Sequence, residues 1–314
     1  MSSDLDAWLD AVRAGVAAAR ARAGAFAQHV SVRASTDSTN DDVARAAIEG
    51  APEGYTVIAA GQTAGRGRRG AGWHSPMAHG LYLSTLLRPD RWSAVRADAA
   101  SPASSLVTLM AGTAVLSAVN DVCATTAELK WPNDVMVRTG RPSSPGVHPA
   151  DEAGGPSLQV PAWRKLAGIL AEGASEQRVL RSVVLGIGVN VRAAHAPPEI
   201  SARMVSLDAL MAPGTAGGPG PAPVSPLVCA LLVRLREGVD LLAGGSLDEV
   251  RTRWRQHAPS VEGTAVRWHQ HGKVRSGRTA GIDEIGALRV RLDEGGEATV
   301  HGGEMEWLLE PRNA

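Results

Sequence analysis

The stretch GQTAGRGRRGAGWHSP, residues 61–76, constrains this chain more than any other. It holds five glycines and three arginines in sixteen positions. An apolar run, YTVIAAGQ (55–62), precedes it and reads as a buried strand. Another, GLYLSTLLRP (80–89), follows and reads as a strand ended by Pro89. The segment between them can continue neither. Glycines and Pro76 block a helix, and guanidiniums at 66, 68 and 69 cannot enter a sheet core. The chain must make a loop here that is either solvated or closes on something anionic. Lys+Arg and Asp+Glu both number 32, so no global field draws nucleic acid or anionic lipid, and any anion binding is local.

Around this loop the pattern is mixed. Leu5, Trp8, Leu9, Val12 and Val16 recur at helical spacing, which predicts one amphipathic helix over 4–28. HVSVRAS reads as a strand, and DSTNDDVARAAIEG as a helix capped by Asp37 or Ser38 and stopped at Gly50. Residues 104–124 read as a core helix, 127–137 as one strand with a polar break, and 164–173 and 181–191 as a hairpin turning near Glu176. Further helices are expected at 226–245 and 247–257. From Val261 on, short alternating strands divided by HGK, DEIG and DEGG turns predict a small all-β barrel. Two Gly/Pro-rich stretches, 139–162 and 211–225, read as loop insertions. Strands and helices do not alternate regularly, so the expectation is an α+β fold with a mixed or antiparallel sheet and helices on one side. Cys123 and Cys229 form no metal motif and read as reduced, buried hydrophobes. The acidic start, MSSDLDAWLD, lacks a signal pattern, and no apolar run reaches the roughly 18 residues of a membrane span, so a soluble cytoplasmic protein is expected.

Four motifs carry chemistry. Gly65, Gly67 and Gly70 satisfy G-x-G-x-x-G, but AGWHSP follows where a dinucleotide fold needs a helix. Nor is there a GK[ST] for a P-loop, and a nucleic-acid patch would want interleaved aromatics and basic flanks. A flexible loop whose N–H groups and guanidiniums fold around phosphate and carboxylate fits better, with a solvated loop as the bland alternative. KWPND (130–134) puts Asn133 and Asp134 at a strand end, and is equally an ordinary turn. KLAGIL (165–170) heads an apolar strand with a lysine. GIGVN (186–190) is a small-residue strand that admits a ligand, or a bulge.

In this order, with DSTN (37–40) ahead and HGGEM (301–305) behind, these motifs resemble the biotin protein ligases, over roughly residues 31 to 310. The resemblance implies a class II synthetase-like biotin/lipoate ligase catalytic domain, a mixed sheet with helices, plus a small C-terminal SH3-like β-barrel. It divides the chain into an N-terminal helical extension (1–30), a catalytic domain (31–258) and the barrel (259–314). It implies that biotin and ATP form biotinyl-5′-AMP and pyrophosphate, and that the biotinyl group passes to a lysine of a biotin carboxyl carrier protein domain.

By resemblance, Lys165 and Arg68 are the catalytic residues, contacting the biotin carboxylate and the α-phosphate. Ser38, Thr39 and Gln62 match positions that bond the ureido ring, with Asn40 in support. Gly65, Arg66 and Gly67 form the loop over the intermediate, Trp73 walls the pocket, and Asn133 and Asn190 sit on the nucleotide side. Asp134 orients Lys165 or a magnesium-bound phosphate, or simply makes the turn. Mg²⁺ is expected with ATP, held mostly by phosphate and water, with no protein ligand assigned. Relatives often carry a cation where this chain has Ala71, so a looser lid is expected. Only about 36 residues precede DSTN, too few for a winged helix-turn-helix, so no sequence-specific DNA binding is expected, and no membrane partner. Lipoate or octanoate ligation or transfer on the same superfold is the nearest rival. A DNA-binding biotin regulator and an inactive adenylate binder are more remote.

Overall fold

The computed structural model describes residues 2–92, 102–123, 125–138, 163–211, 223–270 and 272–308. The insertion at 139–162 and most of that at 211–225 lie outside them. Helices are α1 (Ser2–Ala23), α2 (Thr39–Ile48), α3 (Pro102–Ser105), α4 (Val107–Val122), α5 (Pro198–Ser201), α6 (Leu207–Leu210), α7 (Val224–Ala243) and α8 (Leu247–Gln256). The first seven strands are β1 (Val30–Arg33), β2 (Thr56–Ala59), β3 (Gly80–Leu87), β4 (Ala127–Lys130), β5 (Asp134–Arg138), β6 (Trp163–Glu176) and β7 (Val179–Asn190).

These seven form one sheet in the order β1-β2-β3-β7-β6-β5-β4. β1 and β2 run parallel and every other neighbouring pair is antiparallel, so the sheet is mixed as expected. β2 and β3 are buried throughout their lengths because the sheet is covered on both sides. Successive residues face opposite ways. Ile58, Leu83, Leu87 and Leu185 join the main core with α1, α4 and α7. Val57, Leu86 and Val184 point the other way and pack on Val43 of α2. The long helices thus share one face, as the sequence suggested, but α2 occupies the other. Being only ten residues long, α2 leaves much of that face uncovered.

Two local details position the residues around that face. Ser38 caps α2, its side chain accepting from the Asp41 N–H at 3.4 Å, and Asp41 and Asp42 lie in the first turn, where the helix dipole favours them. The segment 127–137, expected as one strand, is two. Pro132 has no N–H to continue a ladder, and the chain folds back at residues 131–133 so that Lys130 pairs with Asp134. The turn is then anchored by Trp131, whose Nε1 donates to the Gly286 carbonyl at 2.9 Å.

After Val261 the chain forms five more strands: β8 (Glu262–Gln270), β9 (Lys273–Ile282), β10 (Leu288–Leu292), β11 (Glu297–Val300) and β12 (Met305–Leu308). They make an antiparallel sheet ordered β11-β10-β9-β8-β12. Its buried Val266, Trp268, Leu288 and Val290 join the same apolar cluster as the large sheet. The N-terminal helix is also part of that cluster through Trp8, Val12 and Ala19. Among the described residues no helix is long and apolar enough to cross a membrane.

Candidate active site

The uncovered area of the α2 face is floored by Gly168 on β6 and by Gly186 and Gly188 on β7, with Gly168 and Gly188 paired directly. Side chains there would fill the space. A Cβ on Gly188 would lie 2.6 Å from the Trp73 indole, and one on Gly186 would fall against Asn40 Oδ1. The Arg-Gly loop folds back over this floor and encloses a cavity of about 250 Å³. Ser38, Thr39, Asn40 and Gln62 line one part of it, and Arg66, Gly67, Arg68, Trp73, Asn133 and Lys165 the rest. Of the expected site residues, two are placed elsewhere. Gly65 sits behind the loop, where a Cβ would fall 2.6 Å from Ser75 Oγ and 2.7 Å from the Trp73 carbonyl. Asn190 lines a neighbouring groove that shares Trp73, Asp134 and Lys165 with the cavity.

The structure separates the loop arginines by their partners. Arg66 contacts Asp41 at 2.6 Å and Glu172 at 3.2 Å. Its pKa is raised above the ordinary value, first by the hydrogen bond to Asp41. Arg68 donates from Nη1 to the neutral Asn133 Oδ1 at 3.1 Å. Burial pushes its pKa below the ordinary value, Arg69 adds to the shift, and Asp134 opposes it. A half-buried cation beside a neutral partner is where an incoming anion gains most. Arg69 itself takes φ +57°, which turns the loop sharply before Gly70.

Lys165 is held from several directions. Its N–H donates to the Arg203 carbonyl at 2.7 Å, and its carbonyl accepts from Val205 N–H at 3.0 Å and Asn190 Nδ2 at 3.0 Å. The β5–β6 register shifts here, with Met136 opposite Lys165 but Val135 opposite Ala167, a bulge that re-aims the lysine. Its Nζ lies 2.6 Å from Asp134 Oδ1, an ion pair by distance rather than an aligned hydrogen bond, and 4.9 Å from the Trp73 ring centroid. Asn133 braces the other cation, its Nδ2 donating to the Ile169 carbonyl at 2.9 Å while its Oδ1 receives Arg68.

The polar end is a connected network. Gln62 Oε1 accepts from the Thr39 N–H at 2.9 Å and lies 3.1 Å from Thr39 Oγ1. Gln62 Nε2 donates to Ser75 Oγ at 2.9 Å, and Ser75 donates to the Trp73 carbonyl at 3.0 Å. Sequence reasoning missed four members of this surround: Ser84, Glu172, Ser75 and Asp41. Ser84 gave a faint signal as a polar break in LYLSTLL. Ser75 lies inside the Arg-Gly loop and bonds residues of the same stretch, whereas Asp41 on α2 and Glu172 on β6 gave no signal because their contacts join separate elements.

With one polar, hydrogen-bonding end and one cationic end, the cavity can hold a small molecule by its neutral head and bring its anionic tail to Arg68 and Lys165. Residues 14–190 match the biotin/lipoate A/B protein ligase family. The chain is 27% identical over 270 residues to the bifunctional ligase/repressor BirA of Bacillus subtilis, covering 85% of this chain and 71% of that protein. It is 37% identical over 189 residues to a biotin–[acetyl-CoA-carboxylase] ligase of Mycobacterium tuberculosis, covering 59% and 57%. The fold is similar to that of a biotin protein ligase from Aquifex aeolicus solved with biotin and ATP, at TM-score 0.64 and 22% identity over 89% of this chain and 98% of that one.

Proposed function

The chain belongs to the biotin/lipoate A/B protein ligase family, and from that premise we propose that it is a biotin protein ligase, activating biotin with ATP and passing the biotinyl group to a lysine of a carboxyl carrier protein domain. One observation carries the reading: Ser38, Thr39 and Gln62 gather at one part of the same cavity that presents Arg68 and Lys165. A bicyclic urea satisfies such a polar end. The dithiolane of lipoate would leave it unpaired, at about 1–3 kcal/mol for each buried group left without a partner.

In the first half-reaction the biotin carboxylate attacks the α-phosphorus of ATP, the bond to the β-phosphate oxygen breaks, and pyrophosphate leaves. Two anions must approach, and Arg68 and Lys165 offset their repulsion and the charge that builds in the transition state. Asp134 and Trp73 hold the Lys165 ammonium before substrate arrives, and Asn133 aims Arg68. Arg66, already paired with Asp41 and Glu172, ties the loop to α2 and β6 and excludes water from the mixed anhydride. In the second half-reaction the carrier lysine attacks the acyl carbon and AMP leaves. Asn190, in the adjoining groove, serves the nucleotide side by steadying the Lys165 strand.

Among the described residues no group of three or more His, Cys, Asp or Glu side chains converges. The carboxylates beside the cavity are paired with cations, Asp134 with Lys165 and Asp41 and Glu172 with Arg66. Mg²⁺ in this reading comes with the nucleotide, and no step is assigned to protein-held metal. We divide the chain at 259 into catalytic and barrel domains, with α1 as part of the former's core. A cytoplasmic setting, where ATP is available and Cys123 and Cys229 stay reduced, suits the reaction; the repressor role in the Bacillus relative's name forms no part of it.

Pyrophosphate release from ATP with biotin, and separately with lipoate, tests the reading. Release with biotin, followed by labelling of a carrier domain, supports it. Release with lipoate alone overturns the substrate and keeps the fold.

A further inference from the structure

Glu172 lies outside every motif in the sequence, yet it ends a chain of contacts through the buried part of the cavity wall. Its carboxylate accepts from Asn40 Nδ2 at 2.5 Å. Asn40 Oδ1 lies 2.5 Å from Ser84 Oγ, and Ser84 Oγ lies 2.7 Å from Thr39 Oγ1. Thr39, Asn40 and Ser84 are 3%, 5% and 0% exposed, so the contacts among them are dry and each needs a proton, while the Glu172 carboxylate at the end of the chain is 41% exposed.

Counting protons and comparing distances gives the chain a direction, because three hydroxyl contacts at 2.5, 2.7 and 3.1 Å share the two protons of Ser84 and Thr39. A carboxylate only accepts, an amide donates at one end and accepts at the other, and a hydroxyl has one proton to give. Glu172 therefore takes the Asn40 amide by its Nδ2 and leaves Oδ1 facing Ser84. That oxygen needs the Ser84 proton. Ser84 then has none for Thr39, and their 2.7 Å contact is a hydrogen bond only if Thr39 donates. Thr39 Oγ1 has one proton and two oxygens in reach, Ser84 Oγ at 2.7 Å and Gln62 Oε1 at 3.1 Å, and Gln62 Oε1 already accepts the Thr39 N–H; the proton goes to the nearer Ser84, and Thr39 Oγ1 presents only lone pairs to the cavity it lines. Gln62 is fixed from the opposite side. Its Nε2 donates to Ser75, whose own proton goes to the Trp73 carbonyl, so its Oε1 also faces Thr39 as an acceptor.

We propose that Glu172 is a specificity-determining positioning residue that, through Asn40 and Ser84, makes Thr39 an obligate hydrogen-bond acceptor, so that the cavity selects a ligand presenting ring N–H donors over one of the same shape lacking them. This rests on the reading of biotin, a cyclic urea with two N–H groups, as substrate. Glu172 touches neither reacting group. Its effect belongs in KM and in ligand discrimination rather than in kcat.

The test compares biotin with a cyclic carbamate analogue in which one ring N–H is replaced by oxygen, by pyrophosphate release. In the wild type the analogue should raise KM about 10- to 100-fold, as expected for an acceptor left facing an acceptor. E172L frees the Asn40 amide and the protons beyond it. It should raise the KM for biotin about tenfold, leave kcat within about threefold, and shrink the discrimination to about threefold or less. The double variant N40D/E172Q exchanges the two groups: the carboxylate, now on α2, accepts from the amide, now on β6, and from Ser84, so the Thr39 proton is committed again. It should restore both KM and discrimination, which the loss of the Arg66–Glu172 pair alone would not predict. Full discrimination in E172L, or a folded double variant that does not recover it, overturns the proposal. If E172L does not fold, the double variant decides alone. A wild type that releases no pyrophosphate with biotin removes the substrate reading itself, and the proposal with it.

Discussion

Gly188→Ala is expected to disable the enzyme while leaving it folded. A Cβ at this position falls 2.6 Å from Trp73 Cε2 and Nε1 and 2.8 Å from Cζ2. Carbon atoms pack at about 3.5–4.0 Å, so one partner must retreat by about 1 Å. The strand cannot yield, because Gly188 pairs with Tyr82 on β3 and Gly168 on β6 in the middle of the sheet. The indole on the loop must move. Its retreat weakens the stacking under Lys165, now at 4.9 Å, which is worth about 0.5–1 kcal/mol at a partly exposed site. It also pulls on the Trp73 carbonyl, which anchors Ser75 and through it Gln62. Overpacking costs about 1–3 kcal/mol in a rigid core, and a loop relieves part of that, so Tm should fall by only a few degrees. Catalysis should suffer more, since misplacing a positioning group by about 1 Å costs on the order of 100-fold. The assay is kcat/KM for biotin-dependent pyrophosphate release beside a calorimetric melt. A kcat/KM within about threefold of wild type would refute the placement of Trp73 on this floor. A collapse of Tm would show that the sheet, not the loop, gives way.

Lys165→Ala should abolish ligation with little change in Tm, because the side chain is 30% exposed and its pair with Asp134 is worth about 1 kcal/mol at most; normal ligation by the variant would remove the lysine from the chemistry. Arg68→Gly should retain some adenylation but let biotinyl-5′-AMP escape, so free adenylate trapped in solution should rise, and unchanged retention counts against the loop as a seal. Lys130, whose Nζ lies 5.9 Å from the Trp307 ring, has its pKa lowered from 10.5 chiefly by burial, with Lys165 adding and Asp134 opposing. The folded chain therefore sheds this proton at lower pH than the unfolded one. In the window just below the ordinary lysine value the unfolded state binds more protons, and stability rises with pH there. Lys130→Met should be more stable at pH 7 and lose that rise, and parallel pH–Tm profiles for the two proteins would contradict the assignment.

Periodicity and turn chemistry made most elements legible in the sequence. Leu5, Trp8, Val12 and Val16 announce α1, Ser38 announces the start of α2, and the apolar runs at 55–62, 80–89 and 181–191 announce strands. Each depends on residues a few positions apart, which is the range over which sequence pattern reports structure. The motifs also named most of the cavity wall, because DSTN, GRGRRG, KWPND and KLAGIL carry their chemistry in consecutive residues. The polar break in 127–137 was visible, but the reversal of direction at Pro132 was not, since one strand with a break and two paired strands share the same alternation.

What sequence alone determined, then, is the inventory: which segments are strands, which loop can meet an anion, and which cations are available. Tertiary structure decided how those charges are used. Arg66 and Arg68 stand two positions apart and look alike on paper, yet the fold gives one two carboxylates and the other a neutral amide. Gly188 reads as room for a ligand, and the structure shows a tryptophan lying on it. Glu172 reads as an ordinary residue of a strand and becomes the end of a proton chain only because β6 brings it to α2, 132 positions away from Asn40. The physical reason is the same in each case. Burial, pairing and proton direction depend on what surrounds a side chain in space, and a seven-stranded sheet assembles those surroundings from segments that are far apart in the chain.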